Sequence, residues 1–178
     1  TDNGNYIIQS KNCFKLYLPS NFDEIKDINY YFQGTGGGTG TTTVDGAIDE
    51  TMKSYNSDKI LLEVEESKEK VATDIMGMVN PDGFTQYNGY GWSAGAPTSL
   101  NYMTKLLANN KDLPPQTLCL FETAYNGTKM DITDSQIHLL KNNNTTVVLF
   151  EDVNVLSLKK LTLITFSFCN LSFLSFVR

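Results

Sequence analysis

The pentapeptide Gly91-Trp92-Ser93-Ala94-Gly95 stands between a strand-like segment, Gln86–Trp92, and residues 96–110, in which apolar side chains recur at helical spacing. A sharp strand-to-helix turn strains the backbone of its central residue and needs small neighbours. It also raises the serine hydroxyl above the sheet, at a helix N-terminus where backbone N–H groups favour developing negative charge. We therefore predict that Ser93 is a nucleophile and that the N–H of Ala94 is an oxyanion donor. The alternative is a plain tight turn.

Strand-like and helix-like segments alternate on both sides of this turn. The predicted strands are residues 14–18, 28–32, 60–64, 86–92, 117–122 and 146–150, and the predicted helices are residues 43–55, 71–79, 96–110 and a segment that opens with a capping box at residues 133–136. Phe14–Leu18 ends at Pro19, which is typical of an edge strand. The alternation predicts βαβ units and hence an α/β fold, a three-layer α/β/α sandwich with a mostly parallel sheet. In such sheets, sites lie at the carboxyl ends of the strands.

A glycine-rich segment, Gly34-Thr35-Gly36-Gly37-Gly38-Thr39-Gly40, directly follows the predicted strand at residues 28–32. Together with the pentapeptide and the order of elements, it resembles the α/β-hydrolase superfamily over roughly residues 30–152. The resemblance implies a serine hydrolase that acts on an ester, thioester or amide through an acyl-enzyme at Ser93, with the carboxylic ester hydrolases as the favoured class. It also implies that backbone N–H groups around Thr35 and Gly36 complete the oxyanion hole. Esterases of the superfamily often have His-Gly where this chain has Gln33-Gly34.

The acid and the base of the implied triad follow in the order serine, acid, histidine. Asp152, after the predicted strand at residues 146–150, is the expected acid, with Glu151 and Asp131 as alternatives. The chain has one histidine, His138, which precedes Asp152 and falls within a predicted helix. No histidine therefore stands where the family has its base, and we expect this chain to be inactive as given. A non-catalytic binding protein of the same fold is the alternative.

The glycine-rich segment allows a third interpretation. Gly36-Gly37-Gly38-Thr39-Gly40-Thr41 resembles the phosphate-binding signature of tubulin and the tubulin-like GTPases. Thr42 stands where that family has a further glycine, and only 35 residues precede Gly36, too few for the upstream nucleotide-binding loops of that fold. Neither G-x-G-x-x-G nor G-K-[ST] occurs in the segment. Nucleotide binding through residues 34–40 remains the less favoured hypothesis.

The charge and the residue composition of the chain limit the kinds of partner and cofactor that we expect it to bind. The formal net charge of −6 and the pI of about 4.7 argue against nucleic acid. Three widely separated cysteines and one histidine predict no zinc or other metal site and no disulfide framework. We expect no cofactor, and a small-molecule or acyl substrate as the partner. Oligomeric state is left open.

The two ends of the chain are atypical. The first residues lack the basic and apolar pattern of a signal peptide, which slightly favours the cytoplasm while leaving the compartment open. We expect one domain at residues 1–154, with its core at 28–152, followed by a Leu-, Ser- and Phe-rich tail at 155–178. Residues 161–177 are uncharged but rich in polar side chains, so no clear membrane association is predicted. The last strand and helix of the hydrolase fold are expected to be missing.

Overall fold

A single seven-stranded sheet organises the part of the chain that the computed structural model describes, which is residues 6–10, 13–35, 59–121 and 130–150. The strands are β1 (Tyr6–Ser10), β2 (Phe14–Leu18), β3 (Asp27–Phe32), β4 (Ile60–Val64), β5 (Gln86–Trp92), β6 (Thr117–Phe121) and β7 (Thr146–Phe150). The helices are α1 (Glu69–Val79), α2 (Gly95–Asn109) and α3 (Asp134–Asn142), with a short 3₁₀ turn at Phe22–Glu24.

The order of strands across the sheet is β1-β2-β4-β3-β5-β6-β7. Strands β3 to β7 pair in parallel, whereas β2 runs antiparallel to both β1 and β4. The predicted α/β class with a mostly parallel sheet is therefore confirmed. The strand order reverses at β3, because the chain continues from β3 to β4 on one side and later places β5 on the other. This reversal is a topological switch point, the place where open α/β sheets form a crevice.

The three helices lie on one face of the sheet. The connections from β4 to β5, β5 to β6 and β6 to β7 all step in the same direction, and right-handed crossovers then place their helices on the same side. Tyr30 and Phe32 point to this face and meet Tyr102 of α2 in edge-to-face contacts, with ring centroids 5.1 and 5.6 Å from that of Tyr102. The hydroxyl of Tyr102 lies 3.3 Å from Sδ of Met76, which joins α1 to α2. The helix predicted at residues 43–55 falls outside the described residues.

Residues of β3, β4 and β6 form the centre of the core. Ile28, Phe32, Ile60, Leu62 and Leu118 are all fully buried and belong to one cluster. Burying a side chain of this kind stabilises a fold by about 1.5–3 kcal/mol. All five residues of β4 are buried, whereas along β6 buried and half-buried residues alternate.

The prediction that Phe14–Leu18 is an edge strand is wrong. β1 pairs along its outer side, from Tyr6 opposite Leu18 to Ser10 opposite Phe14. Pro19 follows the last residue of β2, so its missing N–H removes no hydrogen bond from the sheet. Its presence therefore does not indicate an edge strand. The predicted capping box is confirmed: Gln136 N donates to Thr133 Oγ1 (3.3 Å), and Thr133 N donates to Gln136 Oε1 (3.0 Å).

The predicted tail at residues 155–178 lies outside the described ranges, as does any further strand or helix there. Among the described helices, none combines the length and the apolar character that crossing a membrane requires.

Candidate functional site

The carboxyl ends of β3 and β5 lie side by side at the switch point. The two strands pair in register from Asp27 opposite Gln86 to Phe32 opposite Gly91. Gln33, Gly34 and Thr35 leave β3 at the same edge at which Ser93 leaves β5. The fold thus brings together the two segments that the sequence singled out, at the position where such sheets bind ligands.

Ser93 occupies the turn between β5 and α2 in a left-handed backbone conformation, with φ of 49°. Asn144 is the other non-glycine residue with positive φ in the described ranges. Serine pays about 1–2 kcal/mol in this region because its Cβ crowds the following carbonyl. Two backbone hydrogen bonds hold the turn: Ser93 N donates to the Phe121 carbonyl (2.9 Å), and Ala96 N donates to the Ser93 carbonyl (3.0 Å). The strained strand-to-helix turn predicted at Ser93 is confirmed as geometry.

The two glycines that flank Ser93 allow α2 to pack directly on the sheet. A Cβ at Gly91 would lie 2.6 Å from the Gly95 carbonyl oxygen and 2.7 Å from Cα of Ala96. A Cβ at Gly95 would lie 2.1 Å from the Phe32 carbonyl oxygen and 2.4 Å from that of Gln33. Both obstacles are backbone atoms, which cannot rotate away. The Gly-x-Ser-x-Gly pattern therefore follows from the close approach of α2 to β3 and β5.

Gly34 lies next to Ser93. A Cβ at Gly34 would be 3.3 Å from Cβ of Ser93 and 3.1 Å from Cδ1 of Trp92, so Gly34 Cα is within about 5 Å of Ser93 Cβ. Thr35 follows, exposed, and its hydroxyl donates to Oε2 of Glu66 at 2.8 Å. Ala94 is the N-cap of α2, near the helix end at which N–H groups lack intrahelical acceptors. Gly36, the other predicted donor, lies outside the described residues.

The predicted acid and base are not assembled at this edge within the described ranges. Asp152 and Glu151 fall outside them, and Asp131 is exposed ahead of α3. His138 is exposed on α3, with Nδ1 3.2 Å from Nδ2 of Asn142. The C-terminal end of α3 is held at the opposite, amino edge of the sheet, where Asn143 Nδ2 donates to the carbonyl of Leu113 just before β6 (2.8 Å). The His138 ring thus contacts a residue one helical turn nearer to the amino edge, whereas Ser93 lies at the carboxyl edge.

Two polar residues beside the site have places that the sequence did not predict: Gln33, known from the sequence only as the residue that stands where esterases often have histidine, and Glu66, which was not predicted at all. Gln33 is fully buried, and neither atom of its amide has a hydrogen-bond partner among the described residues. Glu66, in the turn after β4, accepts the hydrogen bond of Thr35. A polar side chain at the end of the apolar run of β3 was the available signal for Gln33; no local pattern marks Glu66.

Cys119 is the other nucleophilic side chain near the centre of the sheet. It lies on β6 opposite Tyr90 of β5, and burial raises the pKa of its thiol to about 11. A thiol that stays protonated at neutral pH is a poor nucleophile. Within the described ranges, no three His, Cys, Asp or Glu side chains lie close enough to hold a metal ion.

The chain has a weak structural similarity to a known protein. No family model and no curated protein matches the sequence. Among solved structures, the chain is similar to Est1E from Butyrivibrio proteoclasticus, with a TM-score of 0.45 and 15% sequence identity, over 83% of this chain and 76% of that one. A similarity of this size carries no conclusion about family or activity. The class that fold and site define is thus an α/β protein with a strained serine at its switch point.

Proposed function

We propose that the protein is a serine hydrolase of the α/β-hydrolase type, acting on an ester, thioester or amide through an acyl-enzyme at Ser93. The observation that carries the proposal is the left-handed backbone of Ser93 at the switch point, adjoining Gly34. Strained backbone of this kind clusters at active sites, where the surrounding structure compensates for its cost. Here two hydrogen bonds and two close glycine contacts provide that compensation.

The proposed chemistry uses three groups at this edge. The hydroxyl oxygen of Ser93 attacks the carbonyl carbon as its proton passes to a base from solution, and the leaving group takes up a proton as it departs; water then hydrolyses the acyl-enzyme, which releases the carboxylic acid and restores the Ser93 hydroxyl. The N–H of Ala94, together with backbone N–H groups of Thr35 or Gly36, would stabilise the oxyanion. Asp152 is the proposed acid of the triad. In this scheme the 178 residues supply no imidazole for the proton of Ser93, because His138 lies on the exposed side of α3.

A binding protein of the same fold, without turnover, is the second candidate. The observation that favours it is the placement of His138, hydrogen-bonded to Asn142 rather than directed at the serine. Such a protein would use the same crevice for a small-molecule or acyl ligand. The two candidates differ in one property, the reactivity of the Ser93 hydroxyl.

Labelling with a fluorophosphonate, mapped by peptide mass spectrometry, distinguishes them. A hydrolase site, even without its base, retains oxyanion stabilisation, which is worth about 10³–10⁴-fold over water in a serine protease stripped of its triad. We expect phosphonylation of Ser93 to exceed that of Ser135, an exposed serine on α3, and to vanish in Ser93→Ala but not in Ser135→Ala. Equal, slow labelling of the two serines would favour the binding protein. A rise in melting temperature with GTP would instead favour the nucleotide hypothesis.

A further inference from the structure

Two hydrogen bonds attach the segment after β3 to the end of β4. The first is between backbones: Gln33 N donates to the Val64 carbonyl at 3.0 Å and extends the parallel ladder by one step. The second is between side chains: Thr35 Oγ1 donates to Glu66 Oε2 at 2.8 Å. Gly34, between these two attachments, is the residue that adjoins Ser93. The position of this segment relative to the serine therefore depends on both contacts.

Backbone hydrogen bonds hold the turn that contains Glu66. The turn that contains it is closed by Lys68 N donating to the Glu65 carbonyl (3.0 Å), and Glu65 N donates to the Cys13 carbonyl (3.0 Å). Helix α1 begins immediately afterwards, at Glu69. The carboxylate of Glu66 thus holds the side chain of an exposed threonine.

We propose that Glu66 is a positioning residue of the Ser93 site: by holding the Thr35 hydroxyl, it fixes the direction of the backbone N–H of Thr35, the residue that follows Gly34. The proposal rests on the proposed function, in which the N–H of Thr35 helps to stabilise the oxyanion. Donors are effective only when they are held in place before charge develops. Glu66 acts through Thr35 and is not assigned any contact with substrate. Its negative charge is not required, since a glutamine oxygen can accept the same hydrogen bond.

The variants Glu66→Ala, Glu66→Gln, Thr35→Val and Thr35→Ser test this role in the full chain, with Glu65→Ala as the control one residue away. The first measurement is the rate of Ser93 phosphonylation at saturating and subsaturating probe. We expect Glu66→Ala and Thr35→Val each to slow the saturated rate by about tenfold and to be non-additive when combined. Glu66→Gln and Glu65→Ala should remain within about twofold of the parent, and Thr35→Ser, which keeps the hydroxyl, should label faster than Thr35→Val.

The second measurement is amide hydrogen exchange of peptides that contain residues 33–35, which does not depend on reactivity. We expect faster exchange there in Glu66→Ala than in Glu66→Gln or Glu65→Ala. Unchanged labelling and unchanged exchange in a folded Glu66→Ala would overturn the role of Glu66, as would a Glu66→Gln variant as impaired as Glu66→Ala. If Ser93 of the parent labels no faster than Ser135, the proposed function fails, and the exchange result alone then decides whether Glu66 holds the segment.

Discussion

Gly95 and Phe32 approach so closely that a Cβ at residue 95 would lie 2.1 Å from the Phe32 carbonyl oxygen. The contact joins the first residue of α2 to the last residue of β3, a strand at the centre of the sheet that is buried from Ile28 to Phe32. Neither partner can yield by rotating a side chain, because both are backbone. The N-terminus of α2 can therefore pack this close to β3 only because residue 95 is glycine. The same contact holds the turn at Ser93 in place.

Gly95→Ala is expected to destabilise the protein by about 2–3 kcal/mol or more, because relief of the contact requires α2 to move off β3. Gly77→Ala in α1 is the control: nothing lies within 4 Å of its added Cβ, and the position is exposed. There, alanine should stabilise by about 0.5–1 kcal/mol through its higher helix propensity. Urea unfolding monitored by circular dichroism measures both. A Gly95→Ala variant that unfolds at the parent midpoint would contradict the close packing.

Ser93→Gly should raise stability while it removes the reactive hydroxyl. Glycine adopts the φ of 49° without strain, which recovers about 1–2 kcal/mol, offset in part by its greater freedom in the unfolded chain. We expect a net gain of up to about 1 kcal/mol. Ser93→Ala keeps the Cβ and hence the strain, so it should show no comparable gain. The comparison uses thermal unfolding, with phosphonylation lost in both variants; equal stability of the two would show that the turn is not strained.

The sequence predicted the site geometry better than the sheet edges, for a physical reason. A sharp turn packed against neighbouring strands requires small residues at fixed offsets. Gly91 and Gly95, two residues on either side of Ser93, were therefore enough to predict the turn. The partner of β2 is not encoded in that way. β1 is exposed along its whole length, and no local feature of Tyr6–Ser10 reveals which strand it pairs with.

Contacts between distant residues were also beyond local patterns. Thr35 and Glu66 are 31 positions apart, and their hydrogen bond exists because β3 and β4 are neighbours in the sheet. The placement of His138 was easier to predict. Its position within the helical pattern after the capping box already put it on an element that runs back to the amino edge of the sheet.

Gln33→Met is expected to stabilise the protein. The amide of Gln33 is fully buried without a partner among the described residues, and an unpaired buried polar group costs about 1–3 kcal/mol. Methionine has a similar shape and carries no such penalty, so a gain of about 1 kcal/mol should appear as a higher urea midpoint. Gln116→Met is the matched control, because that buried amide accepts from Tyr87 N (2.5 Å) and donates to the Thr85 carbonyl (3.2 Å). It should destabilise. A loss of stability in Gln33→Met would show that its amide has a partner.

The 178-residue chain is expected to have little hydrolase turnover, and added imidazole should raise it. A serine hydroxyl is a weak nucleophile at neutral pH, and a positioned base contributes about 10²–10⁴-fold. His138 cannot provide that base from its place beside Asn142 on α3. Ser93 is half-buried, and we expect imidazole from solution to reach its hydroxyl and accept the proton, so hydrolysis of an activated ester should increase with imidazole concentration beyond the rate that imidazole itself produces.

Two variants decide the origin of that increase. Ser93→Ala should abolish the imidazole-dependent excess, because no acyl-enzyme can form. His138→Ala should leave both the low basal rate and the excess unchanged, because the ring contacts Asn142 on the side of the amino edge, whereas Ser93 lies at the carboxyl edge. The rate is measured by release of the chromogenic alcohol, with the acyl-enzyme at Ser93 identified by mass spectrometry. Brisk hydrolysis without imidazole that is lost in His138→Ala would show that His138 reaches Ser93 and that the base has been misplaced in the proposed mechanism.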